Sequence, residues 1–302
     1  MATCPRSTRP QAAEHRSSVF EALKRFRRQR VLRKAALPDA LWNDACRSLP
    51  FLAGYTQEDM ARLRDLCVLF LDAKGIVGAQ GHEVTPLQRT VIAIQACVPI
   101  LNLDLAWYDG FENVIVYPDE FVPDWEWEDE AGVVHRNDAP LAGEAMPGGP
   151  VVLSWPDIEA SADWNDAQMN LVIHEFAHKI DMNDGDANGC PPLPDPASRE
   201  KWRDTMQAAY ADFSRRVDRG EDTAIDPYAA ESPGEFFAVL SEVFFTEPSL
   251  LQRKYPEVYR EFARFYRQDP GDRMAGSGTG RGVNRAVGAR ASRRRRGSAR
   301  RP

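Results

Sequence analysis

The chain has 302 residues, 43% hydrophobic and 10% aromatic, with 38 Lys and Arg against 45 Asp and Glu and a formal charge of −7 at pH 7. That composition excludes wholesale disorder. The longest apolar run, residues 91–103, is broken by Gln95, Pro99 and Asn102, which excludes a span of about 20 apolar residues across a bilayer.

The charge is unevenly placed. Residues 271–302 hold ten arginines and one acid, Asp272, for +9, and residues 1–34 hold ten basic residues against Glu14 and Glu21 for +8, which leaves −24 on residues 35–270. Five scattered cysteines form no CxxC pair, so neither a disulfide framework nor a thiolate metal knuckle is expected. No apolar stretch follows the N-terminal arginines, so no secretory signal is expected and the cytoplasm is the default compartment.

In chain order, residues 17–34 can form a basic helix, although its apolar positions are sparse. Residues 56–73 read as a helix capped by Thr56, with Met60, Leu63, Leu66, Cys67, Phe70 and Leu71 at helical spacing. Residues 85–99 read as another, with Thr85 as cap and Pro86 in its first turn. Strands follow at residues 113–117 and 149–155, each stopped by a proline. Between them lies an acidic loop, residues 119–130, around Trp125 and Trp127. A strong helix is expected over residues 165–182, an irregular loop over 185–196, and helices near 198–219, 232–246 and 256–268.

The sequence His174-Glu175-Phe176-Ala177-His178 is an HExxH pattern. Positions i and i+4 of a helix share a face, so two imidazoles can grip one ion. Zinc suits neutral imidazole and keeps a position open for water, beside which Glu175 can act as general base. The same helix carries Leu171, Val172, Ile173, Phe176 and Ile180, so it is expected to be buried. Uncompensated polar groups there would cost several kcal/mol.

A third ligand is needed, and spacing offers two sources. Asp184 lies ten residues after His174, as in HExxHxxGxxH, but Asp181 stands where that pattern needs glycine. The alternative is an acid of the apolar stretch 232–245, where Glu235 and Glu242 lie seven apart on one face. Glu235 also fits a capping box with Ser232; the acidic pair on an apolar helix favours the metal. Tyr228 can supply an oxyanion donor, or simply pack under a loop with its hydroxyl in water. Asp181, on the ligand face, can orient a histidine. Residues 149–155 are the candidate sheet edge for an extended peptide, and the loop 119–130 can form an acidic mouth.

The ordered blocks Trp107-Tyr108-Asp109-Gly110-Phe111, 114–118, 125–128, 149–158, 171–181, 226–230 and 235–245, closed by Phe265-Tyr266-Arg267-Gln268-Asp269-Pro270, resemble the Mlc titration factor A family of bacterial zinc-dependent peptidases. That family is similar in its active site to the anthrax lethal factor protease domain. The resemblance implies an α+β zincin-like fold, mostly helical, with a small sheet next to the HExxH helix. It implies one Zn2+ held by His174, His178 and Glu235, with Glu175 as catalytic base and Tyr228 as transition-state donor. It also implies a cytoplasmic, aminopeptidase-type enzyme acting on peptides, and binding of the repressor Mlc that controls sugar uptake. A non-enzymatic repressor-sequestering protein, with secondary peptidase chemistry, is the alternative. The resemblance spans residues 49–270, so residues 1–48 are expected to be a basic extension, partly helical or disordered, and 271–302 a disordered Arg/Gly-rich tail. That tail offers only non-specific attraction to nucleic acid; no membrane partner is expected, and a monomer is.

Overall fold

The computed structural model describes residues 11–120, 126–128, 134–136, 142–162 and 170–277. Helix α1 (Gln11–Lys34) takes up the basic segment. The next helix, α2 (Asp39–Arg47), has no counterpart in the sequence expectation, because nine residues are too few to establish a period. It nevertheless places Trp42 and Ala45, with the preceding Leu37, in the common hydrophobic core.

Helix α3 (Gln57–Ala73) starts where its cap requires: Thr56 Oγ1 accepts the Asp59 amide at 3.1 Å. Strand β1 (Gly75–Gly78) follows at once. Helix α4 (Pro86–Cys97) opens on a reciprocal capping box, with Thr85 accepting from the Gln88 amide and the Gln88 side chain accepting from the Thr85 amide. Each such cap satisfies an amide that the helix itself cannot.

Strand β2 (Asn113–Tyr117) matches its expected bounds. The acidic segment expected as a loop contains strand β3 (Glu126–Glu128), which pairs antiparallel with β4 (Val134–Arg136) beyond it. Residues 121–125 and 129–130 of it lie outside the described residues. Strands β5 (Gly143–Ala145) and β6 (Val151–Ser154) complete a sheet of order β1-β2-β6-β5, in which β1, β2 and β6 are parallel and β5 is antiparallel to β6.

This order corrects one expectation. Residues 149–155 are not the sheet edge: β6 is paired on both sides and wholly buried, so its backbone groups have no bond left for an added strand. The edge on that side is β5, which the sequence hides because Gly143-Glu144-Ala145 has neither β-branched residues nor alternation.

The remaining helices are α5 (Trp155–Ala162), α6 (Leu171–Asp181), α7 (Pro196–Asp218), α8 (Pro233–Thr246), α9 (Pro248–Lys254), α10 (Pro256–Tyr266) and α11 (Pro270–Ser277). The HExxH helix begins later than expected, because Asn170 is its extended N-cap and accepts the Ile173 amide at 2.9 Å. The expected first turn, residues 165–169, lies outside the described residues.

Helix α6 packs between α8 on one side and β5 and β6 on the other. Beneath it Phe176 meets Tyr108 at 5.0 Å and Phe70 at 5.7 Å between ring centroids. Behind α8, Phe237, Phe244 and Phe262 enclose Tyr266, whose hydroxyl pairs with Ser241 Oγ at 2.8 Å. Each such buried ring contributes about 1.5–3 kcal/mol, so the site-bearing helices rest on a rigid base. The molecule is thus mostly helical, with a small sheet beside the HExxH helix. Arg273 in α11, the first arginine of the basic C-terminal stretch, lies over the Tyr55 ring at 4.4 Å; residues 278–302 lie outside the described residues. Among the described residues no helix is long and apolar enough to cross a membrane.

Candidate metal centre

Two facing helices build the site. His174 and His178, one turn apart on buried α6, bring their Nε2 atoms to 3.2 Å of each other. From α8, Glu235 Oε2 stands 3.1 Å from His174 Nε2 and 3.4 Å from His178 Nε2. The three side chains form the group that could hold a metal ion among the described residues.

The capping question at Glu235 resolves in its geometry. Ser232 does cap α8, accepting the Glu235 amide at 3.1 Å. The Glu235 carboxylate, however, does not return to the Ser232 amide as a full box requires; it turns to the histidines. Asp184 is exposed in the turn after α6 and stands outside the cluster, so it is not brought to the histidines.

Glu242, one heptad along α8, supplies the tautomer. Its Oε1 lies 2.6 Å from His174 Nδ1, and its Oε2 accepts the Asn170 amide at the start of α6. Burial pushes the Glu242 carboxyl up, while His174 and the Asn170 amide pull the other way. As an ionised carboxylate it can only accept, so Nδ1 carries a proton and Nε2 is the nitrogen left to take a proton or a metal ion. His174 Nε2, His178 Nε2 and a Glu235 oxygen then face one another.

Two ring nitrogens and a carboxylate oxygen converging on one point fit a cation. Glu235 Oε2 is buried and without a well-formed hydrogen bond. Despite its burial, its carboxyl is held far below the usual range by His174 and His178. The complementary shift is on His174, where burial favours the neutral ring but Glu235 and Glu242 outweigh it and raise its basicity well above normal. The pocket therefore favours positive charge at one point, which a proton meets in the metal-free protein. Two imidazoles and one carboxylate are a donor set suited to zinc.

Glu175 projects from α6 beside this point and is 5% exposed. Burial raises its pKa to about 7, opposed by the two histidines and supported by the Glu235 and Glu144 carboxylates. A carboxylate poised near neutrality suits proton transfer at physiological pH. Edge strand β5 passes directly over it: a Cβ on Gly143 would lie 2.5 Å from Glu175 Oε1 and 2.7 Å from Leu171 Cδ1. Any side chain there must push aside Glu175 or Leu171, and nothing in the sequence marks Gly143 as part of a site. Lys179, buried on α6, holds the β5–β6 turn by donating to the Met146 and Gly149 carbonyls. Burial lowers its pKa to about 8.

Tyr228 lies in a short 3-10 turn, Pro227–Ala230, fixed by Asp226 Oδ1 accepting the Tyr228 amide at 2.9 Å. Its ring is 6.2 Å from that of His174, yet 41% of the residue is exposed. Burial of the hydroxyl and the nearby Glu235, Glu231 and Glu175 carboxylates raise its pKa, so it keeps its proton. Asp181 does not hydrogen-bond a histidine: its Oδ2 accepts the Gly189 amide at 2.7 Å, and His178 Nδ1 has no partner among the described residues. Gly189, at φ +79, is pressed against Pro233 at the start of α8, and Trp202 Nε1 donates to its carbonyl at 2.8 Å. The loop after α6 is thereby tied to the helix that carries Glu235.

The sequence profile described as glucose-regulated metallo-peptidase M90 matches residues 23–267. The chain belongs to that family. Among M90 relatives, the Mlc titration factor A of Salmonella arizonae is 44% identical over 241 residues, 78% of this chain and 94% of that protein. The protein of the same name from Salmonella schwarzengrund is 44% identical over 238 residues, 77% of this chain and 88% of its own. Membership makes this an M90 metallopeptidase-family protein, and the His174, His178 and Glu235 cluster fits the metal that such a family implies.

Proposed function

We propose that the protein is a zincin-like zinc peptidase of aminopeptidase type, with His174, His178 and Glu235 as ligands. The observation that carries this reading is the convergence of three acceptor atoms within 4.8 Å beside the buried carboxylate of Glu175. A bound zinc would supply Lewis acidity and lower the pKa of a water towards ~7. Glu175 is placed to take a proton from an attacking water and to return it to the leaving amine. The protonated Tyr228 hydroxyl donates to the developing oxyanion. Glu242 holds His174 in the ligating tautomer throughout.

Edge strand β5 offers the backbone groups against which a peptide can lie extended. Glu144, Glu231 and Asp226 surround the cluster with negative charge, which favours a cationic substrate amino group and so an N-terminal cut. Metal analysis combined with hydrolysis of amino-acid anilides by wild type and Glu175→Gln tests this. One zinc per chain and loss of turnover in the variant are expected; full turnover in Glu175→Gln would refute it.

The M90 match from residue 23 and the burial of Leu37 and Trp42 support a folded body that begins well before residue 49. The shared name of the Salmonella relatives supports a second role, binding a Mlc-type repressor; we propose that this takes place in the cytoplasm, with the protein a monomer, and regulates sugar uptake. Pull-down of such a repressor with Glu175→Gln separates the two: retention means that binding does not need catalysis. The arginines beyond residue 277 add a charge that attracts polyanions without specificity.

A further inference from the structure

Between α7, α10 and the segment 192–194 lies a cavity of about 500 Å3 that shares no residue with the metal cluster. Its floor is aromatic. Trp107 meets Phe265 at 5.5 Å and 89°, and Trp202 meets the same ring at 5.5 Å and 64°. Rings set nearly at right angles leave an apolar corner open to a third ring or a branched side chain. One wall is Pro192, Leu193 and Pro194, whose prolines fix the backbone before any ligand arrives.

The polar groups at its mouth are few and mostly engaged. Glu261 is buried and neutralised by Lys201 at 2.5 Å and by Arg264. Asp104 accepts the Ala106 amide at 2.9 Å. Arg267 differs: its guanidinium is exposed and has no acceptor among the described residues. Its backbone is left-handed, φ 53, at the C-cap of α10, with its carbonyl held by Asn102 Nδ2 at 2.6 Å. Glycine would close the helix there without the roughly 1–2 kcal/mol that a side chain costs. The arginine is thus set at the mouth of the cavity by a backbone that does not need it.

We propose that this cavity is a second binding site, for the C-terminal end of a peptide or protein whose last side chain is large and apolar. The side chain fills the aromatic corner and the terminal carboxylate pairs with Arg267. Charge decides the second half: on a body carrying −24 an anionic group is repelled in general, and an unpaired guanidinium is where it gains a fork of donors. The volume exceeds that of one side chain several-fold, leaving room for the preceding one or two residues.

The test uses calorimetry on the full zinc-loaded chain with N-acetyl-Ala-Leu-Phe, its C-terminal amide, and 3-phenylpropionate. Saturable binding is expected, with the free acid at least fivefold tighter than the amide and tenfold tighter than phenylpropionate. Trp107→Ala should weaken it at least tenfold, and Leu193→Asp on the rim serves if that variant fails to fold. Arg267→Gln should abolish the preference for acid over amide, and Glu235→Gln should leave binding unchanged. Equal affinity for acid and amide, equal affinity for phenylpropionate, or binding lost in Glu235→Gln but kept with the altered cavity would each overturn the proposal.

Discussion

Glu242 and His174 form a buried carboxylate–imidazole pair at 2.6 Å that decides which ring nitrogen of His174 faces Glu235 and His178. Glu242→Gln leaves an acceptor in place but removes the charge that holds the Nδ1 proton. Zinc affinity is expected to fall about 10–100-fold, measured by chelator competition, with unchanged helical circular dichroism. Unaltered affinity would show that the pair is only a packing contact.

Gly143 tests the approach of β5 to the Glu175 carboxylate. In Gly143→Ala the new methyl must displace Glu175 Oε1 or the strand. Turnover should drop more than tenfold, because small misplacements of reacting groups are costly, while zinc content stays at one per chain. Wild-type turnover would mean that the strand and Glu175 move apart freely.

Tyr228→Phe removes one hydroxyl from an exposed ring. If it donates in the transition state, kcat should fall about 100-fold with KM and zinc content little changed. A change confined to KM would assign Tyr228 to substrate binding instead.

Asp181 predicts a pH dependence. Burial raises its pKa to about 6, against Gly189 and His178, which lower it. The unfolded value is near 3.9, so between these two the folded protein binds the proton more tightly. Its contribution therefore favours folding below about pH 4, is lost as pH rises towards 6, and is flat above. Asp181→Asn retains an acceptor for the Gly189 amide. In metal-free protein it should be more stable than wild type at pH 7 by on the order of 2 kcal/mol, an advantage absent at pH 4. Urea midpoints at the two pH values check this, and an equal gain at both would contradict it.

How much of this was legible in the sequence depended on the range of the signal. His174, Glu175 and His178 announce themselves because a helix converts i, i+4 spacing directly into a shared face. Thr56, Thr85 and Pro86 likewise act within one turn. Glu235 was readable only as one of two alternatives, since Ser232-x-x-Glu235 serves a cap as well as a ligand, and the backbone uses half of that pattern. The pairing of Glu242 with His174, the close pass of Gly143 and the edge position of β5 depend on contacts between residues far apart in the chain. No local period records those. The same holds for α2, where Trp42 gains its meaning from the core it enters.

The central claim is that one zinc ion sits between α6 and α8. Its most direct test is an anomalous-scattering map at the zinc edge from crystals of the full chain. A single peak is expected about 2.0–2.2 Å from His174 Nε2, His178 Nε2 and a Glu235 oxygen. No peak there, or a peak bound to Asp184 with Glu235 turned back to Ser232, would contradict the account.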